Sequence, residues 1–270
     1  MKILYYDCFC GISGDMNLGA LIDLGVEPDY LKTELAKLDL PEEYQLEINK
    51  ETKNGISGSR VNVALGIEQS GTVKSLDDAA ASEQKHEHHV HHSHEHCHRN
   101  LKDIEDIIRS SKLDEKIKNK SMEMFYLVAK AEAKVHQKDI HEIYFHEVGA
   151  TDSIIDFVGA AIALEKLQVG KIMASTVQLG GGFVHCAHGI IPVPAPATVE
   201  ILKGIPVATG IAAAETTTPT GAAILAANVD TFCDKIHFSI EKTGYGIGYR
   251  DLDIPNVLRV FLGELLPDSI

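Results

Sequence analysis

The sequence predicts a mixed α/β fold. Three features carry that reading. Short apolar runs of β-forming residues alternate with longer segments whose apolar positions recur at helical spacing, and one hairpin signature joins two alternating runs. Hydrophobic residues make up 44% and charged residues 24% of the chain, which suits a globular protein with a substantial core. A length of 270 residues admits one large or two modest domains. The expected division is an N-terminal α/β unit over 1–67, a disordered histidine-rich loop over 68–100, and a helical and β region over 101–270.

Taken in order, residues 2–9 read as a buried strand, because Ile3, Leu4, Tyr5 and Tyr6 run without interruption. A Gly/Ser turn follows, then a helix with Leu18, Leu21 and Ile22 that stops at Gly25. Pro28 opens a second helix with Leu31, Leu35 and Leu38 on one face. Residues 44–53 and 56–65 are two strands about Asn54-Gly55, the dipeptide that a tight hairpin turn favours. Helices are expected over 101–109 and 114–136, the latter lined by Ile117, Met124, Phe125, Val128, Ala131 and Val135. A third long helix begins at Thr151, read as its N-cap, and is apolar almost all round. A strand over 172–177, a stiff segment 191–196 and a helix ending at Lys203 with Gly204 as its cap come next. Pro219 starts a helix reaching Asn228. Strands over 236–242 and 256–262 flank Gly244-Tyr245-Gly246-Ile247-Gly248, which reads as a glycine-rich loop. Strand order is not legible.

The net charge of −14 argues against nucleic acid or an anionic membrane as partner and suits attraction of cations. No run of 18 apolar residues occurs, and a charge follows the start too soon for a signal peptide. Five scattered cysteines fit the reducing cytoplasm. Eight of the 14 histidines fall between 86 and 98: His86, His88, His89, His91, His92, His94, His96 and His98. With Glu87, Glu95 and Cys97 they form a cation sponge whose imidazoles favour nickel, copper or zinc. Local storage or delivery of metal fits such a run better than a structural site, which needs a few spaced ligands.

Four other stretches can carry chemistry. In the first turn, Ser13 and Gly14 precede a helix N-terminus, a place for an anion, while Asp7 and Asp15 flank it and favour a metal-bridged phosphate over a bare one. Strand–turn packing explains the same glycines. Cys8 and Cys10 are either soft ligands or small buried residues. The central cluster holds His146, Glu147, Asp152 and Asp156, the two aspartates on one helical face. Such a set can hold a metal or move a proton; a capped helix with solvated acids explains the acids but not the histidine. His185 and His188, about Cys186, can share a metal, though their spacing matches no standard zinc pattern. Thr217, Thr218, Thr220 and Gly221 at a helix mouth offer more hydroxyls than capping needs, and read as a cradle for phosphate or carboxylate.

Several blocks together resemble one family. They are Asp7-Cys8-Phe9 with Gly11-Ile12-Ser13-Gly14-Asp15-Met16, the histidine tract, Phe145-His146-Glu147-Val148-Gly149-Ala150 with Asp152-Ser153-Ile154, Cys186-Ala187-His188-Gly189 with Pro192-Val193-Pro194-Ala195-Pro196-Ala197-Thr198, and Thr218-Pro219-Thr220-Gly221-Ala222. The chain is similar throughout to the nickel-insertion proteins of nickel-pincer cofactor biosynthesis, the LarC family. The resemblance implies a nickel chelatase, of the lyase class, that inserts nickel into pyridinium-3,5-bisthiocarboxylic acid mononucleotide. The product holds one nickel–carbon and two nickel–sulfur bonds and serves lactate racemase. The reaction so implied depends on CTP and on manganese or magnesium. A further C-terminal region, tied to CTP binding and assembly into a homo-oligomer, is also implied, so the chain is expected to be the N-terminal portion. Residue chemistry then suggests His146 or Glu147 as general base, the threonines for the substrate phosphate, and Asp7, Asp15, Asp152 and Asp156 for a hard cation. Two other classes stay open: a nickel chaperone or store needing only the histidine tract and a scaffold, and a metal-dependent phosphohydrolase.

Overall fold

The computed structural model describes residues 1–66, 99–145, 148–186 and 189–266. The expectations for the histidine tract and for His146, Glu147 and His188 lie outside the described residues.

A seven-stranded mixed sheet organises the chain. Its first strand, β1 (Lys2–Asp7), is followed by α1 (Gly14–Leu24) and α2 (Pro28–Leu35), then by the hairpin β2 (Tyr44–Lys53) and β3 (Ile56–Leu65). Asn54 and Gly55 take φ of 49° and 81°, the positive values that a two-residue hairpin turn requires. The helices α3 (Leu101–Ser110), α4 (Glu115–His136) and α5 (Thr151–Leu167) precede β4 (Lys171–Ala174) and the short β5 (Val177–Gln178). A second hairpin, β6 (Phe183–Cys186) and β7 (Gly189–Pro192), leads to α6 (Pro196–Ile201) and β8 (Val207–Ala208). Then come α7 (Pro219–Asn228), β9 (Thr231–Phe232), β10 (Phe238–Ile247) and β11 (Val257–Leu265).

The large sheet runs β2-β3-β10-β11-β1-β4-β9. First and last strands are neighbours, antiparallel from Lys2↔Glu264 to Asp7↔Arg259. On its other side β1 pairs parallel with β4, and β4 with β9. This central place explains the unbroken apolar run in β1, since a strand covered on both faces has no solvent side to alternate with. Leu4 and Tyr6 enter the main core, while Ile3 and Tyr5 join Met173 on the opposite face, backed by Phe238 and Phe261.

Helices cover the first face. Fully buried Phe125 of α4 and Phe157 of α5 meet edge to face at 4.6 Å. Burial of each such side chain contributes about 1.5–3 kcal/mol. Among the described residues no helix is long and apolar enough to cross a membrane.

Three local readings need correction. The glycine-rich stretch is mostly strand: Gly244 and Gly246 lie inside β10 and form a flat seat for α1. A Cβ on Gly246 would stand 1.8 Å from the Met16 carbonyl oxygen, so glycine here serves backbone contact and not a loop. Ala150, not Thr151, is the N-cap of α5, because the Thr151 hydroxyl donates instead to Glu42 at 3.0 Å. Helix α6 stops at Ile201, and Gly204 lies beyond its cap with φ of 82°.

Candidate functional site

The turn between β1 and α1 is where distant parts of the chain meet. The Gly11 amide donates to the Cys8 carbonyl at 3.0 Å, closing the turn. Gly11 has φ of 77°, and a Cβ there would come within 2.1 Å of the Thr216 carbonyl oxygen. Only glycine fits both demands. Ile12 bridges Thr217, and its carbonyl accepts from the Thr218 amide at 3.1 Å. Gly221 of α7 packs on the same Ile12 carbonyl. On the other side of the turn, Gly14 lies against Asp156 of α5, whose Oδ2 would stand 2.0 Å from an added Cβ. The first turn, the α5 acids and the threonine segment, some 200 residues apart at their extremes, are therefore one neighbourhood.

Beside the turn is a cavity of about 340 Å³ lined by Asp15, Asp152 and Asp156, with Arg60, Val61, Asn62, Val63 and Tyr249 completing its wall. Asp15 stands in the first turn of α1, where its charge suits the helix dipole, and the Ser13 hydroxyl donates to it. Asp152 and Asp156 project from one face of α5, as their spacing of four predicts. Burial pushes the Asp156 carboxyl well above the usual carboxylate range, and the charges of Asp15 and Asp152 push the same way. Burial also raises Asp15, against the Ser13 hydroxyl, backbone amides and Arg60, which lower it. Among the described residues, the charges that act on the Asp156 carboxyl are the like charges of Asp15 and Asp152.

Hard carboxylate oxygens crowded in a partly enclosed space are the donors that manganese or magnesium takes, and a dication would relieve their repulsion. The set fits such an ion in donor chemistry. Among the described residues, however, no three His, Cys, Asp or Glu side chains are placed to hold a metal ion as they stand.

The threonine segment is more heavily engaged than its sequence suggests. Thr216 and Thr217 both donate to the Gln178 carbonyl, at 3.0 and 2.5 Å. Thr218 caps α7 by accepting from the Gly221 amide at 3.1 Å. Thr217 is fully buried and Thr220 nearly so. The excess hydroxyls thus join α7 to the strand ends, and an anion here would find backbone amides and the helix dipole before it found free hydroxyls.

Asp7 does not line the acid cavity. It pairs with Arg259 across β1–β11, with Arg259 Nε at 2.8 Å. His185 is exposed on β6. Cys8 and Cys10 are fully buried, and burial raises both thiols, which disfavours the thiolate that binds soft metals. Arg60, Asn62 and Tyr249 escaped the sequence reading. The signal that could have found them is glycine at close contacts: Gly19 of α1 sits over the Ser59 carbonyl of β3, which brings Arg60 to the acids.

The family model described as nickel insertion protein matches residues 4–269. The chain is 62% identical over 98% of its length to the pyridinium-3,5-bisthiocarboxylic acid mononucleotide nickel insertion protein of Clostridium kluyveri, covering 62% of that protein. It is 61% identical to the protein of the same name from Clostridium acetobutylicum, covering 64% of it. It is 54% identical to a protein of Maridesulfovibrio salexigens named as a putative nickel insertion protein. The chain thus spans less than two thirds of the length of these curated relatives. No solved structure matches it. With the match running from β1 past the end of β11, through the turn, the acids and the threonine segment alike, the chain belongs to the nickel insertion protein family.

Proposed function

We propose that this chain carries out nickel insertion into pyridinium-3,5-bisthiocarboxylic acid mononucleotide, in a CTP-dependent reaction that yields the nickel-pincer cofactor of lactate racemase. Two relatives that cover nearly the whole chain bear the name of that substrate. The observation that carries the reading is that the first turn meets both the α5 acids, which line one cavity with Asp15, and the α7 N-terminus, which packs on Ile12.

Insertion breaks a ring C–H bond and forms a nickel–carbon bond, and the two thiocarboxylate sulfurs complete the pincer. The ring proton must leave, and His146 or Glu147 takes it as general base. Asp15, Asp152 and Asp156 are the hard oxygen donors that would hold manganese or magnesium once drawn closer than they stand, and the ion would supply positive charge for phosphate oxygens. Ser13, Gly14 and the α7 mouth at Thr217, Thr218, Thr220 and Gly221 orient the substrate phosphate through backbone amides and the helix dipole. The histidine tract and the pair His185 and His188 gather nickel at exchangeable sites, and Asp7 keeps Arg259 in register beside the turn. CTP binding falls to a C-terminal region of the kind that longer relatives have room for, which also assembles the homo-oligomer. The reaction runs in the cytoplasm.

The test is to incubate the chain with nickel, CTP, manganese and the mononucleotide, with and without a C-terminal region from a longer relative. Product containing nickel is expected when the two parts are combined. Its absence from the combined mixture refutes the reading. Removal of residues 86–98 separates an insertase from a store: insertion persists at high nickel in the first and vanishes in the second.

A further inference from the structure

The connection between β10 and β11 is longer than its task. The two strands are antiparallel neighbours, and such a hairpin closes with about two to five residues. Nine residues, 248–256, lie between Ile247 and Val257. Long connections held on a rigid scaffold are where binding residues concentrate. The base of this one is shut: the Gly248 amide donates to the Asn256 carbonyl at 2.9 Å, and a Cβ on Gly248 would stand 2.6 Å from Asn256 Nδ2. The rest is held from outside. Lys53, the last residue of β2, has a side chain only 12% exposed. Its ammonium donates to the Tyr249 carbonyl at 3.0 Å, the Arg250 carbonyl at 2.7 Å and Asp251 Oδ1 at 2.7 Å. Asn256 Nδ2 donates to the same Arg250 carbonyl at 3.1 Å. All three donors of one lysine are thus spent on three successive residues.

This clamp presents a pair of side chains. Tyr249 is 60% exposed and forms part of the wall of the acid-lined cavity. The Arg250 guanidinium stands 5.3 Å from the centre of the Tyr249 ring. Its Nη2 lies 3.7 Å from Glu215, too long for a hydrogen bond. Glu215 bridges Gly180 and directly precedes the threonine segment. Tyr249 and Arg250 therefore reach from the cavity towards the α7 mouth. A lone surface tyrosine needs no explanation. A tyrosine whose own carbonyl is pinned by a largely buried lysine does, because ordering that lysine and the loop costs conformational entropy.

We propose that Tyr249 and Arg250 bind the aromatic ring of the mononucleotide and one of its thiocarboxylates, and that Lys53 is the positioning residue that holds them. A phenol face takes a flat ring by stacking and favours one that carries positive charge, as a pyridinium does. Arg250 supplies a planar cation for an anionic group on that ring, the phosphate being left to the α7 mouth. The pair suits a ligand of mixed character, a cationic ring with acidic substituents. This deepens the functional reading above and rests on it.

The test is calorimetric titration of the whole chain with pyridinium-3,5-bisthiocarboxylic acid mononucleotide, for wild type, Tyr249→Ala, Tyr249→Phe, Arg250→Ala and Lys53→Ala, folding being checked by circular dichroism. Loss of a stacked ring weakens binding by roughly 5- to 150-fold, so Tyr249→Ala is expected to lose that much while Tyr249→Phe, which keeps the ring, binds as the wild type does. Arg250→Ala is expected to lose roughly tenfold, and less at high salt, where exposed charges are screened. Lys53 acts through the loop, so Tyr249→Ala should cost less in a Lys53→Ala background than alone. In insertion assays the Tyr249→Ala loss should appear in KM with kcat unchanged, the mark of a contact made equally in substrate and transition state. Folded Tyr249→Ala with wild-type affinity overturns the proposal, as does Tyr249→Phe binding as weakly as Tyr249→Ala. Wild-type affinity in Arg250→Ala removes the arginine from it, and additive losses in the double variant remove Lys53. Where Tyr249→Ala does not fold, Tyr249→Leu, which keeps bulk without a ring, decides in its place. Binding that depends on Tyr249, with no nickel product when the C-terminal region is added, refutes the functional reading and leaves the proposal standing. Product formed by Tyr249→Ala at wild-type KM refutes the proposal alone. A chain that does not bind the mononucleotide refutes both.

Discussion

Replacing Gly246 by alanine tests the contact on which the position of Asp15 depends. The new Cβ would lie 1.8 Å from the Met16 carbonyl oxygen and 2.7 Å from the Ala20 amide nitrogen. Both are backbone atoms of α1, so no side chain can swing aside. Restoring ordinary contact requires α1 to retreat by roughly 1.5 Å, enough to forfeit about half of the dispersion attraction at the seam. Overpacking costs about 1–3 kcal/mol, and backbone on both sides places this case at the upper end. Alanine returns about 0.5–1 kcal/mol through its smaller loss of backbone freedom. The net is about 2 kcal/mol of destabilisation, or about 5 °C in Tm for a chain of this size. Thermal denaturation by circular dichroism measures it. A Tm within about 1 °C of the parent would show that α1 does not rest on β10 backbone to backbone, and the account of the glycines would fall.

Two further substitutions probe the site from different sides. The folded state raises the Asp156 carboxyl above its unfolded value, so its contribution to stability is fully present below the ordinary carboxylate range and is lost as pH rises through the raised value. Asp156→Asn should therefore raise Tm at pH about 8 and lose that advantage below about pH 4; equal Tm values for the two proteins across this range would contradict the crowding of charge. Thr218→Ala removes the hydrogen bond to the Gly221 amide and should cost about 1 kcal/mol, with Thr218→Ser recovering most of it. Urea denaturation reads the difference, and an unchanged midpoint in Thr218→Ala would mean that α7 is held without its cap.

Periodicity and turn chemistry made the elements legible. The hairpin of β2 and β3 falls on the expected residues because Asn54 and Gly55 supply the positive φ values and nothing tertiary competes. Helix α2 begins at Pro28 and α7 at Pro219, as a missing amide at the first helical position allows. Misreadings arose where tertiary contact overrides local preference. Gly244 and Gly246 look like a loop because strand interiors disfavour glycine, yet the approach of α1 leaves no room for any side chain. Thr151 looks like a cap because its hydroxyl could serve, yet Glu42, 109 residues earlier, takes it. Sheet order was out of reach for the same reason: pairing of β1 with β11 depends on register between the two ends of the chain, which no local signal encodes.

The acids show most clearly how structure decides between readings that sequence leaves level. A capped helix would account for both Asp152 and Asp156 if both lay at its end. Asp152 does: it stands in the first turn, and its Oδ1 accepts from the Ser153 amide at 2.8 Å. Asp156 stands a full turn further in, where the backbone amides already have helical partners, so capping cannot employ it. Its neighbours along α5 are buried apolar residues, and burial together with two like charges opposes its ionisation. An apolar residue there would serve the core better by about the transfer free energy of one side chain, on the order of 2 kcal/mol. Helix geometry therefore explains Asp152 and leaves Asp156 without a structural task among the described residues. Gly14, whose lack of a side chain makes room for that carboxylate, ties it to the first turn. The same carboxylate that weakens the core is thus the one for which the β1–α1 turn keeps space, and a group retained at a cost to stability points to chemistry at that turn.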